Sequence, residues 1–225
     1  MITLKKLLLS TFILLILLCS VAVASPLTDY SQGRGAIDLT ERNTKISIKD
    51  SVLGTSDFPQ KYNLDTTFTF GLGNKLAVQY RYFNPKSQNY YSSSHYLQLK
   101  VSQLNVLYQL EQNISAFIGF TDGTFSSVYE VPAYNQTVSY SYNRQCMNVG
   151  LLGQTQIAPK TNLWGSVNGG KSFTEYNIGV GYQIKPNLEF NVDYRNFKIK
   201  KYFSYGAQNV DAFGKGLGFG LTYKY

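Results

Sequence analysis

The 225-residue chain has one histidine, His95, and it follows three serines, Ser92, Ser93 and Ser94. A serine activated by a neighbouring imidazole is a standard nucleophile for acyl transfer. The spacing works against that chemistry here. Adjacent side chains of an extended segment point to opposite faces, so Ser94 cannot be held by His95. The residue two places on, which would share the face of His95, is leucine at position 97. His95 therefore reads as a polar residue where a loop enters a strand, and the chain reads as a non-enzyme. Metal and cofactor chemistry has no more support. One histidine and the cysteine Cys146 do not make a ligand set, and the glycines from Gly214 to Gly220 lack the strand-turn-helix setting of a phosphate loop.

A second group of side chains recurs at even spacing. Glu189, Asp193 and Arg195 share one parity of a single run, and Asp65, Gln79 and Arg81 share the corresponding parity of an earlier one. Paired acids can do proton-transfer work. Acids interleaved with arginines on one face more simply fill a narrow polar interior with ion pairs, or line a polar path through it.

Those residues need strands to position them, and the chain supplies alternating runs in hairpin pairs. Tyr62 to Leu72 turns at Gly73-Asn74-Lys75 into Leu76 to Asn84. His95 to Leu110 turns at Glu111-Gln112-Asn113 into Ile114 to Thr121. Val138 to Ile157 turns at Ala158-Pro159-Lys160-Thr161 into Asn162 to Asn168. Phe173 to Ile184 turns at Lys185-Pro186-Asn187 into Leu188 to Lys198. Short Gly, Pro and Asn turns between alternating runs are hairpin signals. The connections between hairpins, Pro85 to Ser94, Asp122 to Gln136 and Lys200 to Asp211, read as longer polar loops, and Asn168-Gly169-Gly170 as a tight turn. The first strand is open between two readings, because Glu41-Arg42-Asn43 interrupts two alternating stretches.

The C-terminal run alternates most strictly. Leu217, Phe219, Leu221, Tyr223 and Tyr225 fall on one parity, with Gly216, Gly218, Gly220, Thr222 and Lys224 on the other. In a soluble sheet such a terminal strand would leave a sticky edge. In a closed barrel its large side chains would meet lipid and its glycines a crowded interior. Tyr176, Tyr182 and Tyr194 bracket the aliphatic centres of their strands, as interface girdles do.

The first 24 residues read as a secretory signal: Lys5 and Lys6, an apolar run from Leu7 to Leu18, and Ala22-Val23-Ala24 before the cleavage point. That apolar core is short of the ~20 residues a spanning helix needs. The remaining chain, residues 25–225, suits one domain, with residues 25–33 as a candidate periplasmic arm. Without Lys5 and Lys6, the basic residues still exceed the 13 acidic ones by six. Nucleic acid is a poor partner for a secreted chain, so lipid and lipopolysaccharide phosphates are the expected counter-charges. Lys198, Lys200 and Lys201, where a strand emerges outward, are the residues best placed to meet them. With Cys146 alone after cleavage, no disulfide forms within the chain.

The signal, the hairpin repeat, the loop asymmetry and the aromatic terminus together resemble the small outer-membrane β-barrels of the OmpA/OmpX-type class. The expectation is an all-β fold, an antiparallel transmembrane β-barrel of about ten strands (eight if one hairpin is a loop excursion), with short periplasmic turns. Lipid-facing rows include Leu76/Val78/Tyr80, Ile178/Val180/Tyr182, Leu188/Phe190/Val192 and Leu217/Phe219/Leu221. The resemblance implies that Gly218, Leu221, Tyr223 and Tyr225 form a signal for the barrel-assembly machinery. Functionally it implies a structural or surface-interaction barrel with a filled lumen. A narrow porin-like channel for small anionic solutes is the alternative, and a lipid-modifying enzyme a more distant one.

Overall fold

The computed structural model describes residues 29–89, 94–131, 136–205 and 208–225. The proposed signal segment lies outside these residues. Ten strands run in chain order: β1 (Gly35–Asp50), β2 (Gly54–Gly73), β3 (Leu76–Phe83), β4 (Ser94–Glu111), β5 (Ile114–Val131), β6 (Gln136–Ala158), β7 (Thr161–Gly170), β8 (Phe173–Lys185), β9 (Leu188–Tyr205) and β10 (Gln208–Lys224). Each pairs antiparallel with its sequence neighbours, and β10 pairs with β1, so the sheet is a closed barrel. No helix among the described residues is long and apolar enough to cross a membrane; the strands do the crossing.

Closure is made by the terminal strand. Its register against β1 is unbroken from Ala36↔Lys224 to Asp50↔Val210, and on its other side Tyr223 pairs with Leu188 and Phe213 with Lys198. The last residue completes the seam: Tyr225 N–H donates to Gly35 O (3.0 Å), and Gly35 N–H donates to Tyr225 O (2.9 Å). The Tyr225 ring lies over Gly35, where a Cβ would come within 2.4 Å of it.

The four expected turns on one rim are present, each with two residues between its strands, and the first is explained by backbone sign. Asn74 (φ 52°) and Lys75 (φ 66°) both lie in the left-handed region. That is the two-residue hairpin geometry whose twist matches the flanking strands.

Several expectations about the other rim are corrected. Glu41-Arg42-Asn43 does not interrupt β1, which is continuous through it. The irregularity lies in the partner β2, where the register slips between Thr44↔Lys61 and Ile46↔Phe58. Asp122 to Gln136 is not a long loop: β5 and β6 pair without a break from Ile114↔Gly153 to Val131↔Gln136. Likewise β9 continues through Lys200 to Tyr205, with a bulge at Lys201 (φ 49°). β7 extends to Gly170, so its turn is Lys171-Ser172 and not Asn168-Gly169-Gly170. These stretches are polar because they are strands in water rather than loops. Their outward side chains pair across the ladder, as in Ser126–Ser141 (2.8 Å) and Asn143–Asp122 (2.6 Å).

The barrel therefore has two storeys of opposite polarity. In the lower one, Leu104, Val106, Tyr108 and Leu110 of β4 face outward and are exposed, while Gln103 and Asn105 are buried inside. Above Ser102 the pattern inverts: Leu97, Leu99 and Val101 point inward and are buried, and Lys100 points outward. β9 inverts in the same way, from Glu189, Asn191, Asp193 and Arg195 inside to Phe197 and Ile199 inside. An apolar exterior with a polar interior suits lipid. A polar exterior with an apolar interior suits water, so the upper storey stands above the outer leaflet.

A candidate functional site in the bore

The lower storey is crossed by a chain of alternating charges. Asp193 accepts a short hydrogen bond from Arg42 Nη1. Arg42 Nε donates to Asp65 Oδ2 (2.7 Å), and Arg195 Nη1 donates to the same oxygen (2.9 Å). Arg195 Nε lies 3.1 Å from Glu175 Oε1. Arg81 then grips Glu175 with both guanidinium nitrogens (2.8 and 2.9 Å) and donates to Gln103 Oε1 (2.9 Å). Three arginines alternate with three carboxylates, so the chain is neutral overall. β1, β2, β3, β4, β8 and β9 each contribute a member, and the pairing ties distant walls of the barrel together.

All of these side chains are buried. A charge buried in a low-dielectric interior is tolerable only when paired, and the alternation gives every charge an opposite neighbour. Glycine makes the room. A Cβ on Gly218 would lie 3.0 Å from Arg42 Cζ and 2.6 Å from Thr40 Cγ2. The glycine face of β10 is thus the space into which Arg42 extends.

The bore is filled above and below this chain. Above it, the Phe83 ring stacks on Arg195 (4.5 Å from ring centre to Cζ) and packs against Phe197 (5.0 Å), which meets Phe173 (6.1 Å). Leu97, Leu99, Val101 and Ile199 complete this apolar plug. Below it lies a polar cavity of about 60 Å³, into which Trp164 Nε1 and Asn177 Oδ1 turn without a protein partner. The bottom is closed by the N-terminal segment. Residues 29–33, the end of the candidate periplasmic arm, fold against the rim. Tyr30 is buried among Ala77, Leu107, Phe117 and Leu152, and its hydroxyl donates to Ser115 Oγ (2.9 Å). Gly71 permits the crossing, since a Cβ there would lie 2.5 Å from Ser31 O.

Of the residues singled out from sequence, Asp65, Arg81, Asp193 and Arg195 belong to the ion chain. Gln79 lies beneath it, bonded to Thr69 (3.3 Å) and Asn105 (3.3 Å). Glu189 points inward but stands apart, paired with Lys224 (3.2 Å). Sequence reasoning missed Arg42 and Glu175. The parity of Asp38 and Thr40 extends to Arg42, and that of Asn177 extends back to Glu175, so both were reachable. Of the three lysines Lys198, Lys200 and Lys201, the first is already engaged. Lys198 is paired with Asp211 (2.5 Å) over the Phe213 ring (4.8 Å), and the Lys201 backbone N–H donates to Asp211 Oδ1 (2.8 Å).

His95 has a serine neighbour, but not one from its own strand. Its Nε2 lies 3.0 Å from Ser127 Oγ on β5, and its ring meets Phe58 edge-on (6.3 Å, 89°). Ser92 and Ser93 lie outside the described residues. Burial pushes the His95 pKa down from its ordinary value of 6.5. As the sole histidine of the chain, it can be followed by NMR in tag-free protein. The imidazole is expected to titrate below 6.5 and to be neutral at pH 7. A midpoint above 6.5 would contradict this burial.

A ring of ten antiparallel strands, apolar outside and ion-paired within, defines an integral outer-membrane β-barrel. The chain belongs to the outer membrane protein beta-barrel domain family, whose model matches residues 11–225. No curated protein sequence matches it significantly. Among solved structures it is similar to the outer membrane protease OmpT of Escherichia coli, with a TM-score of 0.59 at 11% identity, covering 86% of this chain and 97% of that one. It also resembles Ail, the attachment invasion locus protein of Yersinia pestis, with a TM-score of 0.48 at 13% identity, covering 86% and 99%. At these identities the likeness is one of fold.

Proposed function

We propose that this protein is a non-conducting outer-membrane barrel that acts at the cell surface through its raised upper storey. The observation that carries this reading is the neutral ion chain across the bore, with the Phe83–Phe197–Phe173 plug above it and Tyr30 below. A permeating ion would have to break several buried pairs at once, each costly to separate. Planar-bilayer recording of the purified protein is expected to show no discrete conductance steps. Steps that change when Arg81 or Arg195 is neutralised would establish the porin-like alternative instead.

Outside the bore, the upper storey offers water a polar, self-paired sheet, which suits contact with outer-leaflet headgroups or with an extracellular partner. Lys200 and Lys201 remain the residues best placed to meet lipopolysaccharide phosphates, with Lys198 already neutralised by Asp211. Gly218, Leu221 and Tyr223 lie on the seam strand and Tyr225 directly follows it, and these are the residues we assign to a signal for the barrel-assembly machinery. We favour no enzymatic role.

A further inference from the structure

We propose that the extracellular mouth of the barrel is a dead-ended binding pocket for a small, neutral aromatic molecule carrying one hydrogen-bonding group. The mouth forms an open recess of about 390 Å³, within the range of small-ligand sites. Its floor is the apolar plug, so a ligand can enter from outside but has no path downward.

The walls define the ligand class. Phe125 and Tyr202 are stacked at 4.1 Å, and Tyr142 tilts against Tyr202 at 6.0 Å. Phe58 and Tyr140 bring further aromatic surface to the same space. Tyr140 shares the inward parity of Tyr142 and Cys146 on β6, yet 57% of its surface is exposed. An inward aromatic ring with that much free surface is a wall waiting for a contact. Planar rings bind such walls by offset or edge-to-face packing.

The polar groups define the rest. The hydrogen-bonded His95–Ser127 pair lines the pocket and is its polar spot, and burial, by lowering the His95 pKa, favours the uncharged imidazole. Asp50 lies at the rim, accepting hydrogen bonds from the backbone N–H groups of Val52 (2.7 Å) and Leu53 (3.2 Å). Among the described residues no lysine or arginine lines the pocket. An anionic ligand would therefore meet a carboxylate and no counter-charge. A fatty acid or sulfonate is disfavoured; a neutral aromatic amine or phenol is not.

The test uses the full mature chain in lipid nanodiscs with N-phenyl-1-naphthylamine, a neutral aromatic amine whose fluorescence rises in apolar surroundings. The expected result is a saturable component of one site per barrel above the linear partition into lipid. Ser127→Trp fills the pocket and is expected to weaken that component at least about tenfold. Tyr142→Ala, which removes one wall, is expected to weaken it as well, and heat-shifted electrophoresis confirms that each variant is folded. Indistinguishable, non-saturating signals from wild type and Ser127→Trp would overturn the pocket. Equal or tighter binding of the anionic 8-anilinonaphthalene-1-sulfonate would overturn the neutral ligand class. Conductance does not enter either outcome, so the pocket and the sealed bore can fail separately.

Discussion

Arg42→Ala is expected to destabilise the barrel by about 3–5 kcal/mol, the range for removing one partner of a buried ion pair. Arg42 is among the largest fully buried side chains, and it holds both Asp65 and Asp193. Its loss leaves Asp193 without a cation and Asp65 with Arg195 alone. The expected observation is a lower midpoint for guanidinium unfolding from lipid vesicles, followed through Trp164 fluorescence.

Two comparisons separate this effect from a general weakening of β1. Lys45 on the same strand pairs with Asp57 (2.7 Å), but their side chains are 37% and 54% exposed. Lys45→Ala should therefore cost no more than about 1 kcal/mol. The charge-balanced double variant Arg42→Met with Asp193→Asn removes a cation and its anion together, and should recover part of the loss. A loss under about 1 kcal/mol for Arg42→Ala would mean that the ion chain is not what holds the walls together.

Gly216→Val should prevent the ring from closing. A Cβ at Gly216 would lie 2.0 Å from Asn43 O and 3.0 Å from Thr44 Cα, both backbone atoms of β1. No side-chain rotation relieves such a contact, so β1 and β10 must separate at the seam. Overpacking alone costs about 1–3 kcal/mol, and here it falls on the one pairing that makes the sheet a barrel. The expected readout is electrophoretic: unheated Gly216→Val should migrate with the heated, unfolded form. Gly169→Val is the control, because nothing lies within 4 Å of a Cβ there and valine favours strands. A normal heat shift for Gly216→Val would show that the seam can yield.

Much of the barrel was legible because a strand writes its two faces into alternate residues. The alternation of Leu217 to Tyr225 against glycine located the seam strand, and four short turns implied ten strands. Asp65, Arg81, Asp193 and Arg195 could be placed inside by parity alone. The upper storey was misread because polar, Ser- and Tyr-rich segments were equated with loops. The signal was present nonetheless. In β4 the apolar parity switches between Val101 and Leu104, and in β9 between Tyr194 and Phe197. Such a switch marks the passage of a strand from lipid into water.

The sequence by itself determined where the lipid-facing strands run, which of their side chains face in or out, and that the sheet must close. These are local consequences of two-residue periodicity and of an apolar face that needs lipid. Only the tertiary structure decided which inward charges meet. Arg42 and Asp193 are 151 residues apart, and their contact depends on the register of β1 against β10 and of β10 against β9. A shift of two residues at either seam preserves every parity and every hydrophobic face, yet it separates the pairs. Partner choice across a closed barrel is set by register and shear, and alternation, which repeats every two residues, does not encode them.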